Sequence, residues 1–282
     1  MFRAYSSRFF FASWIRLAAL LLVSTLLPGL AGAQVNRVPQ VAVIDLGVYA
    51  DILRNSNVSG RLLSRQATDA VVNEMIRTGR FDIVPREQVS QQAEALGLNR
   101  PYNEIALQRL GQALGVDYIA TGAVAALERD KKTNALRTSV VMLLTDVNSG
   151  EYANGAVGLG IALPPKSVSE AIKDLPVEQV MQDQAIGDAA FVLVRKLNNY
   201  RLPEATVLLT TANTEVRLNR GIRDGIQEGQ DFVIFRQGER VGRVRITRVY
   251  DIESYATIID IGRGIRPEDK ARAIFPVSAM RY

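Results

Sequence analysis

The spacing of hydrophobic positions changes several times along this chain, and each change marks an element. Val41-Ala-Val-Ile-Asp-Leu46 is an unbroken apolar run with β-branched residues, which predicts a buried strand. Residues 47–60 turn polar and predict a loop. From about Ser59 to Thr78 the apolar residues Leu63, Ala67, Ala70, Val71 and Met75 recur three and four apart, the pattern of a helix with one buried face. Gly79 closes it. Phe81 to Val84 predicts a short strand, stopped by Pro85. Arg86 to Leu96 predicts a mostly polar helix closed by Gly97. Asn103 is placed to cap another, with Ala106, Leu110, Ala113 and Leu114 inward and Gly115 at its end. Long strands follow at Asp117–Leu127 and Arg137–Val147, joined by the charged connection Glu128–Asn134. After the turn signal Asn148-Ser-Gly150, Glu151–Leu163 returns as a hairpin partner. Pro164-Pro165 breaks the pattern, and residues 166–182 have no clear period. Asp183–Tyr200 predicts a strong helix with Ile186, Ala190, Leu193, Val194 and Leu197 on one side. The order βαβααβββα predicts an α/β sandwich.

Leu202-Pro203-Glu204 reads as a boundary, giving an α/β domain at 34–202 and a second domain at 203–282. Beyond it come short runs and tight turns. Strands are expected at Thr206–Leu209, Glu215–Leu218, Asp231–Arg236, Arg240–Tyr250, Tyr255–Ile261 and Ala271–Pro276, which together predict a small antiparallel β-barrel. Gly221, Gly225 and Gly229 punctuate one connection, and Gln237-Gly-Glu-Arg240 makes a hairpin turn. Val241, Arg243 and Arg245 alternate with Gly242, Val244 and Ile246, so one face should be largely apolar and the other basic. Arg243, Arg245 and Arg248 form that basic strip and are the candidate partner-binding residues; a solvated face that discourages edge pairing is the blander account.

Composition narrows the chemistry. The 282 residues include no histidine and no cysteine, which excludes Ser-His-Asp and Cys-His catalysis, zinc sites of His and Cys, and disulfides. Residues 1–33 join a basic head (Arg3, Arg8, Arg16), an apolar core at Leu17–Leu27 and Ala31-Gly-Ala33, the layout of a signal peptide cleaved after Ala33. Its removal takes three of the 34 basic residues and none of the 29 acidic ones, so the mature net charge falls from +5 to about +2. Nucleic acid is therefore not an expected partner. No later stretch is long and apolar enough for a helical span. The expected location is the periplasm, soluble or peripheral to the outer membrane. Gly155, Gly158 and Gly160 stand in the wrong order for a dinucleotide fingerprint and open no helix. Asp45, Asp82, Asp117 and Asp146 could in principle pair as acid and base, but aspartates near strand ends more often accept backbone N–H bonds. No catalytic, cofactor-binding or metal residue is assigned, and no small-molecule substrate is expected.

Several segments together resemble the CsgG/HfaB family of curli and holdfast secretion: Val41–Leu46, Gly79–Glu87, Leu114–Gly122 and Leu144–Glu151. The barrel segments Leu218–Gly221, Gly225–Phe232 and Val241–Ile246 resemble the C-terminal domain of FlgT-type flagellar assembly proteins. The resemblance implies a CsgG-like fold, self-association as a ring, and partnership with envelope or secretion-machinery proteins. It implies a non-enzymatic structural or adaptor role in envelope assembly, secretion or motility. The alternative is a curli-type outer-membrane channel subunit. That would need membrane hairpins at 128–134 and 152–182, which are too short or too broken for a strand of about 9–11 residues.

Overall fold

The computed structural model describes residues 37–55, 59–164, 176–211 and 214–280. The signal segment at 1–33 lies outside them, as do Pro165 and residues 166–175 of the stretch without clear period. Val38–Tyr282 forms one compact unit, in which a helix-covered sheet is followed by a closed barrel.

The sheet is built from β1 (Gln40–Val43), β2 (Gly47–Val48), β3 (Asp82–Ile83), β4 (Tyr118–Arg129), β5 (Leu136–Asp146) and β6 (Tyr152–Ala162). Its order is β3-β1-β4-β5-β6, with β2 also on β4. The first half is parallel and the β4-β5-β6 meander antiparallel. Side chains alternate across it. Val41, Val43, Ala120, Val124, Met142 and Ala156 face one way and meet α2 (Gly60–Thr78) and α5 (Val177–Asn199). Ala42, Ile44 and Ile119 face the other way and meet α3 (Arg86–Ala95) and α4 (Glu104–Leu114). Helix ends follow their sequence signals. The Asn103 side chain accepts a 2.8 Å bond from the Ala106 N–H at the start of α4, and Gly79 ends α2 at φ 63°, where a side chain would be strained.

Two expectations change. The polar stretch 47–60 is not all loop: Gly47–Val48 adds in parallel to Ala123–Val124 of β4, and α1 (Ala50–Asn55) follows, anchored by buried Ile52. Two residues of strand and a six-residue helix are too short to show a period. α5 begins at Val177, six residues before the expected Asp183, and its extra turns bury Met181 and Gln182. Buried Gln182 is what hides them: its amide bonds Gln66 of α2, and a polar residue at an inward position erases the pattern.

α5 lies close on the edge strand β6, and glycine is why. A Cβ on Gly158 would stand 1.9 Å from the Ala189 carbonyl oxygen, and one on Gly160 would stand 1.9 Å from that of Ala185. Two of the glycines that the sequence set apart from a dinucleotide fingerprint are the floor on which a helix rests.

The barrel comprises β7 (Glu204–Thr211), β8 (Glu215–Leu218), β9 (Asp231–Arg236), β10 (Glu239–Val249), β11 (Ser254–Asp260) and β12 (Lys270–Ala273). It closes in the order β10-β11-β8-β7-β12-β9, every pair antiparallel. Closure removes the exposed edges that short strands would otherwise present. Val207, Leu218, Phe232, Ile234, Val244 and Ile246 fill it. The β9–β10 hairpin turns on Gln237 and Gly238 at φ 53° and 83°, a two-residue turn whose twist matches its strands. Strict alternation in β10 is broken by a register shift between Arg240 and Gly242. That shift buries Val241 while Arg243 keeps an outer face.

Gly158→Val is expected to drive α5 off β6 and to cost about 3 kcal/mol or more, read as a lowered urea midpoint. Gly187→Ala, on the solvent side of α5 with nothing within 4 Å of the new Cβ, is expected to add about 0.5–1 kcal/mol.

Candidate partner-binding surface

The three arginines of the strip project from the outside of β10, and each meets a carboxylate. Arg245 clasps Asp231 through Nε and Nη2 at 2.7 and 3.0 Å. The two residues are cross-strand partners of β10 and β9, so sheet register makes the pair. Arg243 donates to Asp231 Oδ2 at 2.7 Å and to Glu151 Oε1 at 3.1 Å. Arg248 bonds Glu215 and lies 4.6 Å from the ring centroid of Tyr255. The hydrogen bonds from Arg245, and then those from Arg243, hold the Asp231 carboxyl below its ordinary 3.8 against the opposing effect of burial. The strip is thus largely neutralised within the chain, although Arg245 and Arg248 keep 57% and 54% of their side chains in solvent.

Arg243 also reaches across a seam, because Glu151 belongs to the turn before β6. Arg272 of β12 crosses the same seam and donates to Asp146 Oδ2 at 2.9 Å, beneath the Phe235 ring 5.1 Å from its guanidinium carbon. This pair is largely withdrawn from water, at 20% and 9% exposure. Past β12, the Ile274 N–H donates to the Asp231 carbonyl and the Phe275 N–H to the Tyr152 carbonyl, both at 2.8 Å. Phe275 packs where Gly155 has no side chain and meets Tyr200 edge to face at 5.3 Å. Arginine, backbone and aromatic contacts together join barrel to sheet.

The four aspartates considered for acid–base work do other things. Asp117 accepts the Gln40 N–H at 2.8 Å, and Asp82 accepts the Gln40 side-chain amide at 2.8 Å. Asp146 Oδ1 accepts the Ser149 N–H and hydroxyl in the turn before β6. Asp82, bonded to a side chain, and Asp45 depart from the backbone N–H expectation; Asp45 lies between Arg86 and Arg100, each at 3.0 Å, while Arg86 also holds Asp69 at 2.6 Å. Among the described residues no cluster of three or more Asp or Glu is arranged to hold a metal ion.

Sequence reasoning missed a groove of about 550 Å³ beside β6. Val157, Val192, Arg195, Lys196, Phe275 and Met280 line it. Its signal was the uncharged, glycine-rich run of β6, read as a hairpin strand and no further: glycines inside a strand mark close approach by other backbone.

Residues 48–153 match the family model described as peptidoglycan-synthase activator LpoB. The match runs from β2 to the start of β6 and leaves out α5 and the barrel. Among curated proteins none matches. Solved structures with a likeness include the LpoB C-terminal domain from Escherichia coli, at 19% identity and TM-score 0.33 over 49% of this chain and 92% of that one. They also include a PelC dodecamer from Paraburkholderia phytofirmans, at 15% and 0.33 over 55% and 87%. Lipoprotein GNA1162 from Neisseria meningitidis gives 13% and 0.35 over 50% and 94%. Likenesses this weak carry no argument about function.

The family match corrects the resemblance read from sequence. Gly79–Glu87, Leu114–Gly122 and Leu144–Glu151 fall inside the residues matched by the LpoB model, and Val41–Leu46 lies just before them. They are helix stops, strand starts and turns that any sandwich of this order needs. The FlgT-like segments are likewise turn glycines and alternating strands, common to small barrels. The CsgG/HfaB and FlgT assignments are withdrawn. The curli, holdfast and flagellar roles, and the secretion-channel alternative, go with them.

Arg272→Ala is expected to cost about 2–4 kcal/mol, because it leaves Asp146 enclosed at the seam without its cation; chemical denaturation measures this. The depressed Asp231 carboxyl contributes stability that is complete above its ordinary 3.8 and is lost as the pH falls through its lower folded value. Asp231→Asn lacks that contribution, so the urea midpoints of the two proteins should lie apart at neutral pH and converge progressively below pH 3.8.

Proposed function

We propose that this chain is a non-catalytic activator of a peptidoglycan synthase, acting by protein–protein contact in the periplasm. The observation that carries the reading is the LpoB family-model match over residues 48–153. Those residues form most of the α/β sandwich, so we assign contact with the synthase to a domain at 34–202. The barrel at 203–282 is a second domain that the matched region lacks, held to the first by the seam. Within this reading Arg245 and Arg248, paired but more than half exposed, are the part of the basic strip left to meet an acidic partner. Export through residues 1–33 and a position peripheral to the outer membrane fit the role. No described helix is long and apolar enough to cross a membrane.

The test adds residues 34–282 to a purified peptidoglycan synthase of the same cell and follows polymerisation of lipid-linked glycan precursor. Co-sedimentation and light scattering report the complex and any self-association. A faster polymerisation together with a stable complex is expected, with binding weakened in the Arg245→Glu, Arg248→Glu double variant. No complex and an unchanged rate at saturating protein would overturn the reading.

A further inference from the structure

β6 is an edge of the sheet: among the described residues it pairs with β5 alone. In such a strand alternate residues turn N–H and C=O away from the partner. Val157 belongs to the outward set, because its carbonyl accepts a 2.7 Å bond from Lys196 Nζ. Alternation puts Leu159 and Ile161 in the same set. Among the described residues their outward main-chain groups have no partner. The strand carries no charged residue and no proline, the devices that ordinarily blunt an exposed edge. On the face away from α5, Leu159 and Ile161 are 50% and 51% exposed.

The edge opens at its N-terminal half into the groove. Val157, Val192, Phe275 and Met280 make an apolar floor, and Arg195 and Lys196 make a cationic rim that no lining carboxylate offsets. Lys196 is engaged by the Val157 carbonyl; Arg195 has no carboxylate partner among the described residues. The groove is held in shape by the Phe275–Tyr200 contact and the Phe275 N–H bond to Tyr152.

We propose that β6 and this groove receive an extended acidic segment of a partner protein, which adds to the sheet as a further strand beside residues 157–161. One of its apolar side chains occupies the floor beside Val192, and one of its carboxylates meets Arg195. The incoming backbone completes the ladder at Leu159 and Ile161 and takes the place of Lys196 on the Val157 carbonyl. An anionic lipid would also match an apolar floor with a cationic rim. It has no repeating N–H and C=O to offer the strand, and the unpaired main chain decides for a polypeptide. The proposal goes beyond activation of a synthase and does not require the partner to be one.

The probe is the peptide acetyl-Ser-Val-Asp-Leu-Glu-Val-Asp-Ser-amide, labelled for fluorescence anisotropy and added to residues 34–282. Saturable binding is expected, with amide shifts at Leu159 and Ile161. Arg195→Glu, an exposed position with a melting curve to confirm folding, should weaken it about tenfold. Ile161→Lys should weaken it too. Of two peptides N-methylated on alternate residues, one should lose binding and the other keep it, since only one side of the added strand faces β6. Equal binding by both methylated forms would overturn strand addition. So would the absence of binding at about 1 mM peptide, or saturable uptake of phosphatidylglycerol vesicles with none of peptide. The assay contains no synthase, so its failure and a failure to stimulate glycan synthesis are separate results.

Discussion

Two absent side chains, at Gly158 and Gly160, let the backbone of α5 rest directly on β6, and the arrangement of the sandwich follows from that approach. Any larger residue would meet the Ala185 and Ala189 carbonyls. With the helix seated there, Ile186, Ala190 and Leu193 reach the same core as Leu63 and Val71 of α2, so one contact distance sets how two helices cover one face. It also sets where α5 ends. Tyr200, just past its last turn, then stands beside Phe275, and Lys196 reaches the edge carbonyl of Val157. The seam and the groove are both downstream of a helix–strand spacing fixed by glycine.

Much of the fold was legible because its signals are local. Apolar runs marked β4, β5 and β6, three- and four-residue spacing marked α2 and α4, and Asn103, Gly79 and Gly115 marked helix ends. The barrel strands were legible from alternation between turns. What failed was short or depended on distant residues. β2 exists because β4 offers it a parallel partner, and the first turns of α5 turn inward on Gln182, whose amide is satisfied by Gln66 from another helix. The bulge that buries Val241 is a property of the β9–β10 register, not of the residues around it.

The candidate site was legible only as residue types. Sequence showed Arg243, Arg245 and Arg248 on a face of one strand. It could not show that Asp231 would stand opposite Arg245, or that Glu151, 92 residues before Arg243, would reach it across a seam. An arginine strip and a strip of arginine–carboxylate pairs have the same spacing in sequence and very different fields. The family resemblance failed for a related reason. Fragments such as Gly79–Glu87 state where helices stop and strands start, and unrelated functions share that grammar; a match over a continuous hundred residues weighs how the fragments are filled.

The seam has a consequence for the order in which the molecule can be completed. Its closing contacts come from Arg272 and Phe275, which lie in and just beyond the last barrel strand, while their partners Asp146 and Tyr152 lie up to 126 residues earlier. A chain delivered N-terminus first can form the α/β sandwich while its Gly155 notch is still vacant. The notch is filled only when the whole barrel has arrived and closed. A product cut short anywhere in the barrel would carry an open notch and an Asp146 without its arginine, giving the cell's quality-control proteases a local mark of incompleteness.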